Sequence, residues 1–187
     1  MLNMKKLIIS MIATIFTLGL FAQSNTAVIT TIQGDGYTYV KKTKKSRLVN
    51  LYNQDNEYTD VPMVYNNAGE NPDSENQRGT VVEDDNWTNL RAEQIVNTSF
   101  TAEQMDIIEG HDLGIGIYVD TTTGKVVGTE YTFIDSTPMA GMPLSLFRKI
   151  ELRMKDEICF TLTDTGKKYN YIYFYWIQEI VDMSIIK

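Results

Sequence analysis

Residues 169–180 read "YNYIYFYWIQEI". Tyrosine recurs at every second position from 169 to 175, with isoleucine, phenylalanine and tryptophan between at 172, 174 and 176. A period of two marks a strand, whose successive side chains point to opposite faces. Ile172, Phe174 and Trp176 therefore share one face, which reads as core and is expected to meet a helix around Phe147 and Ile150. Tyr171, Tyr173 and Tyr175 face away from it. Aromatic rings carry roughly 150–250 Å² each, so three laid bare would reach the roughly 300–600 Å² of the largest patch on an ordinary monomer. The stripe is either covered, by the N-terminal strands or a cross-strand ladder with Tyr118, or used as a platform for a glycan or an extended peptide. Tyr171, Tyr173, Tyr175 and Tyr118 are the candidate binding residues.

The neighbouring sequence supplies the rest of the fold. "PLSLFRKIELRMKDEI" (143–158) repeats Phe147, Ile150, Met154 and Ile158 at helical spacing behind a Pro143 suited to a first turn. Glu151 and Lys155 form an i,i+4 pair, while Arg148, Lys149, Arg153 and Asp156 keep the other face wet. "GIGIYVDTTTGKVVGTEYTFI" (114–134) is two alternating runs around a Gly124 turn, a β-hairpin. Ile115, Ile117 and Val119 share a face of its first strand, and Val127, Tyr131 and Phe133 a face of its second. "TAEQMDIIEG" (101–110) carries a capping box, Thr101 with Gln104, and a stop at Gly110; Met105 and Ile108 lie on one face. "CFTLT" (159–163) and the aromatic strand bracket "DTGKK", a second hairpin signal. The order predicts an α+β fold: an antiparallel sheet of two hairpins backed by one long and one short helix.

Upstream, residues 27–65 form a β-rich segment: "AVITTIQ", "GYTYVKK", "RLVNLYN" and "VPMVY". Residues 66–86 are an acidic polar loop or linker with almost no large apolar side chain to offset ordering entropy. Residues 87–187 make up the α+β domain. Residues 1–22 read as a signal peptide: Lys5 and Lys6, an apolar run of 15 residues from Leu7 to Phe21, then Ala22 at the cut site. That run is shorter than the ~20 residues of a membrane span, so the chain is expected to be exported, to the periplasm or beyond, with no retained anchor. Removing the leader takes two lysines and no acid, moving the net charge from −7 to −9. Such acidity argues against a nucleic-acid partner, whose phosphates need Lys and Arg contacts. The basic stretch "KKTKKSR" (41–47) reads as a solvated edge guard or a partner for the acidic residues 70–85.

At residues 101–181 the pattern resembles the hairpin–helix–strand half of TonB C-terminal-like domains. The shared signs are an apolar strand ending Val119-Asp120, a Gly124-Lys125 turn, a core-facing helix and a long aromatic closing strand. The whole chain is similar to small exported domain-of-unknown-function proteins of gut bacteria. Domains of the TonB type take short peptides by strand addition, so the resemblance implies a sheet edge serving likewise. The chain has no proline-rich spacer and only four prolines; energy transduction and functional residues are not carried over.

Motifs of catalysis are sparse. His111, in "EGHDL", is the only histidine and reads as a loop or capping residue. Cys159 is the only cysteine and reads as a buried structural thiol. No cofactor or metal is expected; the loops "NQDNEYTD" and "NPDSENQRG" lack the glycine and glutamate placement of an EF-hand. An enzymatic alternative is a small hydrolase of glycan or peptidoglycan using paired carboxylates, drawn from Glu83, Asp84, Asp85 and Glu130. A structural subunit of a cell-surface assembly is a third. The favoured reading is an exported, non-enzymatic binding module for a protein, peptide or glycan.

Overall fold

Six strands alternate in direction across one sheet in the order β1-β2-β3-β5-β4-β6. The computed structural model describes residues 27–65, 80–83 and 86–182. The proposed leader and most of the polar 66–86 stretch, Asp84 and Asp85 included, lie outside them. The strands are β1 (Val28–Gln33), β2 (Thr38–Thr43), β3 (Leu48–Asn53), β4 (Asp112–Val119), β5 (Val126–Ile134) and β6 (Ile172–Glu179). Three helices accompany them: α1 (Asn86–Asn97), α2 (Ala102–Ile108) and α3 (Leu144–Glu157). The fold is α+β. β3 pairs with β5, so the N-terminal segment and the 87–187 region share one sheet.

Local signals account for much of this. Gly124, at φ +73°, closes the β4–β5 hairpin, donating its N–H to Asp120 O at 2.9 Å. A Cβ there would fall 2.1 Å from Phe160 O, so glycine is needed twice over. Thr101 and Gln104 form the expected capping box of α2, and Met105 and Ile108 are buried below it. On α3, Phe147, Ile150 and Met154 are buried together, and Ile158 follows them. The Tyr131 and Phe133 rings of β5 lie 5.0 and 5.8 Å from Phe147, and Tyr131 Oη donates to Phe147 O at 2.8 Å.

Four expectations fail, each for a physical reason. The second hairpin does not form. Residues 159–163 find other backbone partners: Phe160 N donates to Gly124 O (2.8 Å), Glu83 N to Thr161 O (2.8 Å) and Thr163 N to Val81 O (3.2 Å). β6 therefore pairs with β4, which places Ile172 and Phe174 opposite Val119 and Ile117 over a continuous core. Cys159 is exposed, because Ile158 and Phe160 on either side take the inward positions. On β5 it is Val126, ahead of a bulge, that enters the core; Val127 stays half-buried. Within the presumed linker, Val81 and Val82 are buried and Val82 bridges Leu162.

Helix α1 had no counterpart in the sequence reading, and it changes what the aromatic strand meets. α3 lies over β5, whereas α1 reaches the last strand, Gln178 Nε2 donating to Glu93 O at 3.1 Å. Phe174 packs on Phe160 at 5.2 Å, not on Phe147. Basic side chains read as a wet face of α3 hold the end of α1 instead. Arg153 Nη1 reaches Ile95 O (3.2 Å) and Thr98 Oγ1 (2.9 Å), and Lys149 Nζ donates to Ser99 O at 2.7 Å. Such cations complement the carbonyl end of a helix.

Candidate functional site: the tyrosine face and its glycine trough

Both faces of β6 follow the alternation. Ile172 and Phe174 are buried under the helices and Trp176 is half-buried, while Tyr171, Tyr173 and Tyr175 point the other way. What the sequence reading missed lies on the adjoining strand. Between the core residues Leu113, Ile115 and Ile117, β4 turns Gly114 and Gly116 outward, and then Tyr118. The glycines form a trough across which tyrosines of β6 lie down. A Cβ on Gly114 would meet Tyr175 Oη at 2.2 Å, and one on Gly116 would meet Tyr173 Oη at 2.5 Å and Glu130 Cγ at 2.6 Å. Aromatic rings covering glycine gaps on a neighbouring strand are a known way of packing a sheet face. The signal was present in "GIGIY", as the complement of its isoleucine face.

The four expected tyrosines have unequal fates. Tyr118 and Tyr171 are each only 5 % exposed. The turn after β3 seals them: Tyr58 sits 4.8 Å from Tyr171 and 6.3 Å from Tyr118, ring centre to ring centre, and Tyr171 Oη donates to Val61 O. Tyr118 also meets Tyr171 at 5.6 Å and Tyr173 at 5.0 Å, the cross-strand ladder expected of it. Tyr173 is half-buried, and Tyr175 is 46 % exposed. The stripe is thus a covered cluster at one end and an open surface at the other.

Glu130, on β5 opposite Gly116, is the chemical centre of the covered end. Tyr118 Oη donates to its Oε2 at 3.0 Å, and Tyr173 Oη to its Oε1. Burial, then the adjacent Glu130 charge, pushes both phenols well above the ordinary tyrosine value, so they remain O–H donors at any ordinary pH. A cleft of about 430 Å³ opens here, lined by Tyr58, Asp60, Val61, Tyr118, Glu130 and Tyr173. No Lys or Arg nitrogen among the described residues lies within 4 Å of Glu130. Lys42 stands over the Tyr52 ring, 5.1 Å from its centre, and pairs with Asp60; Lys41 pairs with Asp135 at 2.6 Å. The basic stretch thus holds Asp60 and Asp135, and the 70–79 part of its alternative partner lies outside the described residues.

A second cleft, of about 490 Å³, runs along β6 on the helix side, between Asn89, Ala92 and Glu93 of α1 and Phe174 and Trp176. Among the described residues β6 is the last strand of the sheet, and it pairs with β4. Beside its open edge, Ile177 is 65 % exposed. Of the other candidate residues, Glu83 is exposed, and His111 sits in a turn, its N–H donating to Ile108 O at 3.0 Å. Among the described residues no group of three His, Cys, Asp or Glu is placed to hold a metal ion. None of the helices described is long and apolar enough to cross a membrane.

Fold and site define a class: an antiparallel sheet with helices on one face and a partly covered tyrosine layer on the other. The chain belongs to the family described as "Domain of unknown function (DUF5043)", whose model matches residues 24–176. It is similar to a solved structure of a DUF5043 family protein from Bacteroides uniformis, with 32 % identity and a TM-score of 0.77. That similarity covers 84 % of this chain and 90 % of the other. No curated protein matches the chain.

Proposed function

We propose that this is an exported, non-enzymatic interaction module that takes an extended peptide as an added strand along the C-terminal half of β6, at residues 175–178. The observation that carries the reading is the C-terminal half of that edge: among the described residues, 175–178 pair with β4 and with no strand on their other side. An unpaired edge presents a row of backbone donors and acceptors, and natural edges are commonly guarded by lysine, proline or charge. Residues 175–178 hold none of these, and the strand's one charge, Glu179, stands at its last position. The flanking surface suits an added strand. Tyr175 and Ile177 stand open on the outer face, and the cleft under α1 leaves room for side chains on the inner face. Backbone pairing would give affinity and the alternating pockets specificity, the mode by which TonB-type domains take their peptides. Export is proposed on Lys5, Lys6 and the apolar run behind them.

The test is selection of random decapeptides displayed on phage against the immobilised protein, followed by amide hydrogen exchange with the enriched peptide. Slowed exchange at residues 175–179, lost in an Ile177→Lys variant that keeps its melting temperature, is the expected result. Enrichment of no peptide, or protection confined to residues 54–63, would overturn it.

A further inference from the structure

The outer-face cleft offers a site of a different kind from the strand edge. Glu130 is half-buried and both its oxygens are engaged by phenol O–H groups, which fix the carboxylate without neutralising it. A carboxylate has about four lone-pair positions, so two accepted bonds leave acceptor capacity toward the cleft. A partly buried charge is ordinarily paired, and among the described residues no basic side chain lies within ion-pair distance of this one. Lys42, on β2 beyond β3, is committed to Asp60 and the Tyr52 ring. The walls add to the preference: the rings of Tyr58, Tyr118 and Tyr173 line the cleft, and aromatic faces attract cations. The net charge of −7 over the whole sequence raises the local concentration of positive ligands.

We infer that the Glu130 cleft is a binding site for an organic cation, with a lysine-type primary ammonium as its occupant: Glu130 supplies the counter-charge and the tyrosine rings enclose the alkyl stem. A volume of about 430 Å³ exceeds what the ammonium needs and accommodates the stem. The two phenols act as positioning groups, holding both carboxylate oxygens in place. The inference stands apart from strand addition at β6, since Glu130 lies two strands inward of that edge.

The experiment uses lysine blocked at both backbone ends as the probe and equally blocked norleucine as its uncharged counterpart, titrated into the protein carrying ring-labelled tyrosine. Blocked lysine is expected to shift the Tyr118 and Tyr173 ring resonances saturably, with norleucine at least tenfold weaker. Glu130→Gln should remove that preference, whereas Glu130→Asp, which keeps the charge, should retain part of it. Ile177→Lys should leave lysine binding intact, so failure here and failure of the strand-addition reading are separately visible. Equal binding of lysine and norleucine, or full lysine binding by a folded Glu130→Gln protein, would overturn the inference. So would tighter binding of a neutral methyl glycoside, which would make the cleft a sugar site.

Discussion

The two faces of the sheet each hold one carboxylate gripped by tyrosine, and they treat it in opposite ways. On the helix face Glu151 is wholly buried. Tyr39 Oη donates to it at 2.5 Å, Asn53 Nδ2 lies 3.2 Å from both oxygens, and two cations complete the shell, Lys155 at 2.7 Å and Arg148 at 2.9 Å. On the outer face Glu130 has its two phenols and, among the described residues, no cation. Glu151 is sealed within the first face; the second is covered at one end only, by the turn carrying Tyr58 and Val61. A compensated charge in a sealed face serves the fold. An uncompensated one beside a cleft is free to serve a ligand.

The largest effect that would sharpen this contrast lies within the tyrosine row itself. Tyr171→Ser removes a ring packed on Tyr58 and Tyr118 and the bond that ties Val61 down. Truncating a buried aromatic costs about 3–5 kcal/mol, and urea denaturation should report a loss of about 3 kcal/mol. A loss below about 1 kcal/mol would mean that the 54–63 turn does not seal this end.

Next in size is the helix-face charge. Burial pushes the Glu151 carboxyl up, but the hydrogen bonds of Lys155 and Tyr39 and the neighbouring Arg148 outweigh it and hold it below the ordinary glutamate value. A carboxyl lowered in the folded state contributes stability above the unfolded value of about 4.3 and loses it as pH falls through the folded one. Glu151→Gln should cost about 2 kcal/mol at pH 7, since charge-assisted hydrogen bonds are worth about 1.5–3. The variant should also show a shallower fall in stability between about pH 4.3 and the acid limit. Glu130→Gln, by contrast, should stay within about 0.5 kcal/mol of the parent. Similar losses for the two variants would erase the distinction drawn between the faces.

How much of this was legible in the chain differs by element. Alternation along residues 171–177 gave both faces of β6, and helical spacing gave α3, because each period is a local property of consecutive side chains. The capping box of α2 was readable for the same reason. Helix α1 was not, because its buried positions include Thr88, Ala92 and Asn97 while Trp87 and Leu90 face solvent, which inverts the expected apolar stripe. The sealing of Tyr171 was equally hidden. It depends on a turn 110 residues away in sequence, a contact that no local pattern encodes. Glu130 is legible as a candidate carboxylate, but its two phenol partners follow from strand order, and the sequence pattern sets β6 beside residues 159–163 rather than beside β4.

The glycine trough yields a smaller effect that joins fold to site. Gly116→Ala would set a methyl 2.5 Å from Tyr173 Oη and 2.6 Å from Glu130 Cγ. Both side chains line the cleft and must shift to admit the methyl, so the cost should be about 1 kcal/mol, at the low end of overpacking. The readout that matters is the Tyr173–Glu130 contact: the Tyr173 ring resonance should move, while the Tyr131 ring beneath the sheet stays put. Unchanged Tyr173 signals would show that the phenol does not lie over the glycine.

The smallest effect tests the open end of the row. Tyr175 differs from Tyr171 in place rather than chemistry: it lies over Gly114, beyond the reach of the 54–63 turn, and nearly half its surface meets solvent. Serine there removes ring contact with the trough but leaves no buried partner unsatisfied, so stability should change by about 0.5 kcal/mol or less. If the edge of β6 receives a strand, the same substitution should weaken an enriched decapeptide severalfold, because Tyr175 would then be covered by the added chain. A variant that is both as stable as the parent and as tightly bound would leave the open end with no role in recognition. The edge alone, through its backbone, would then carry the contact.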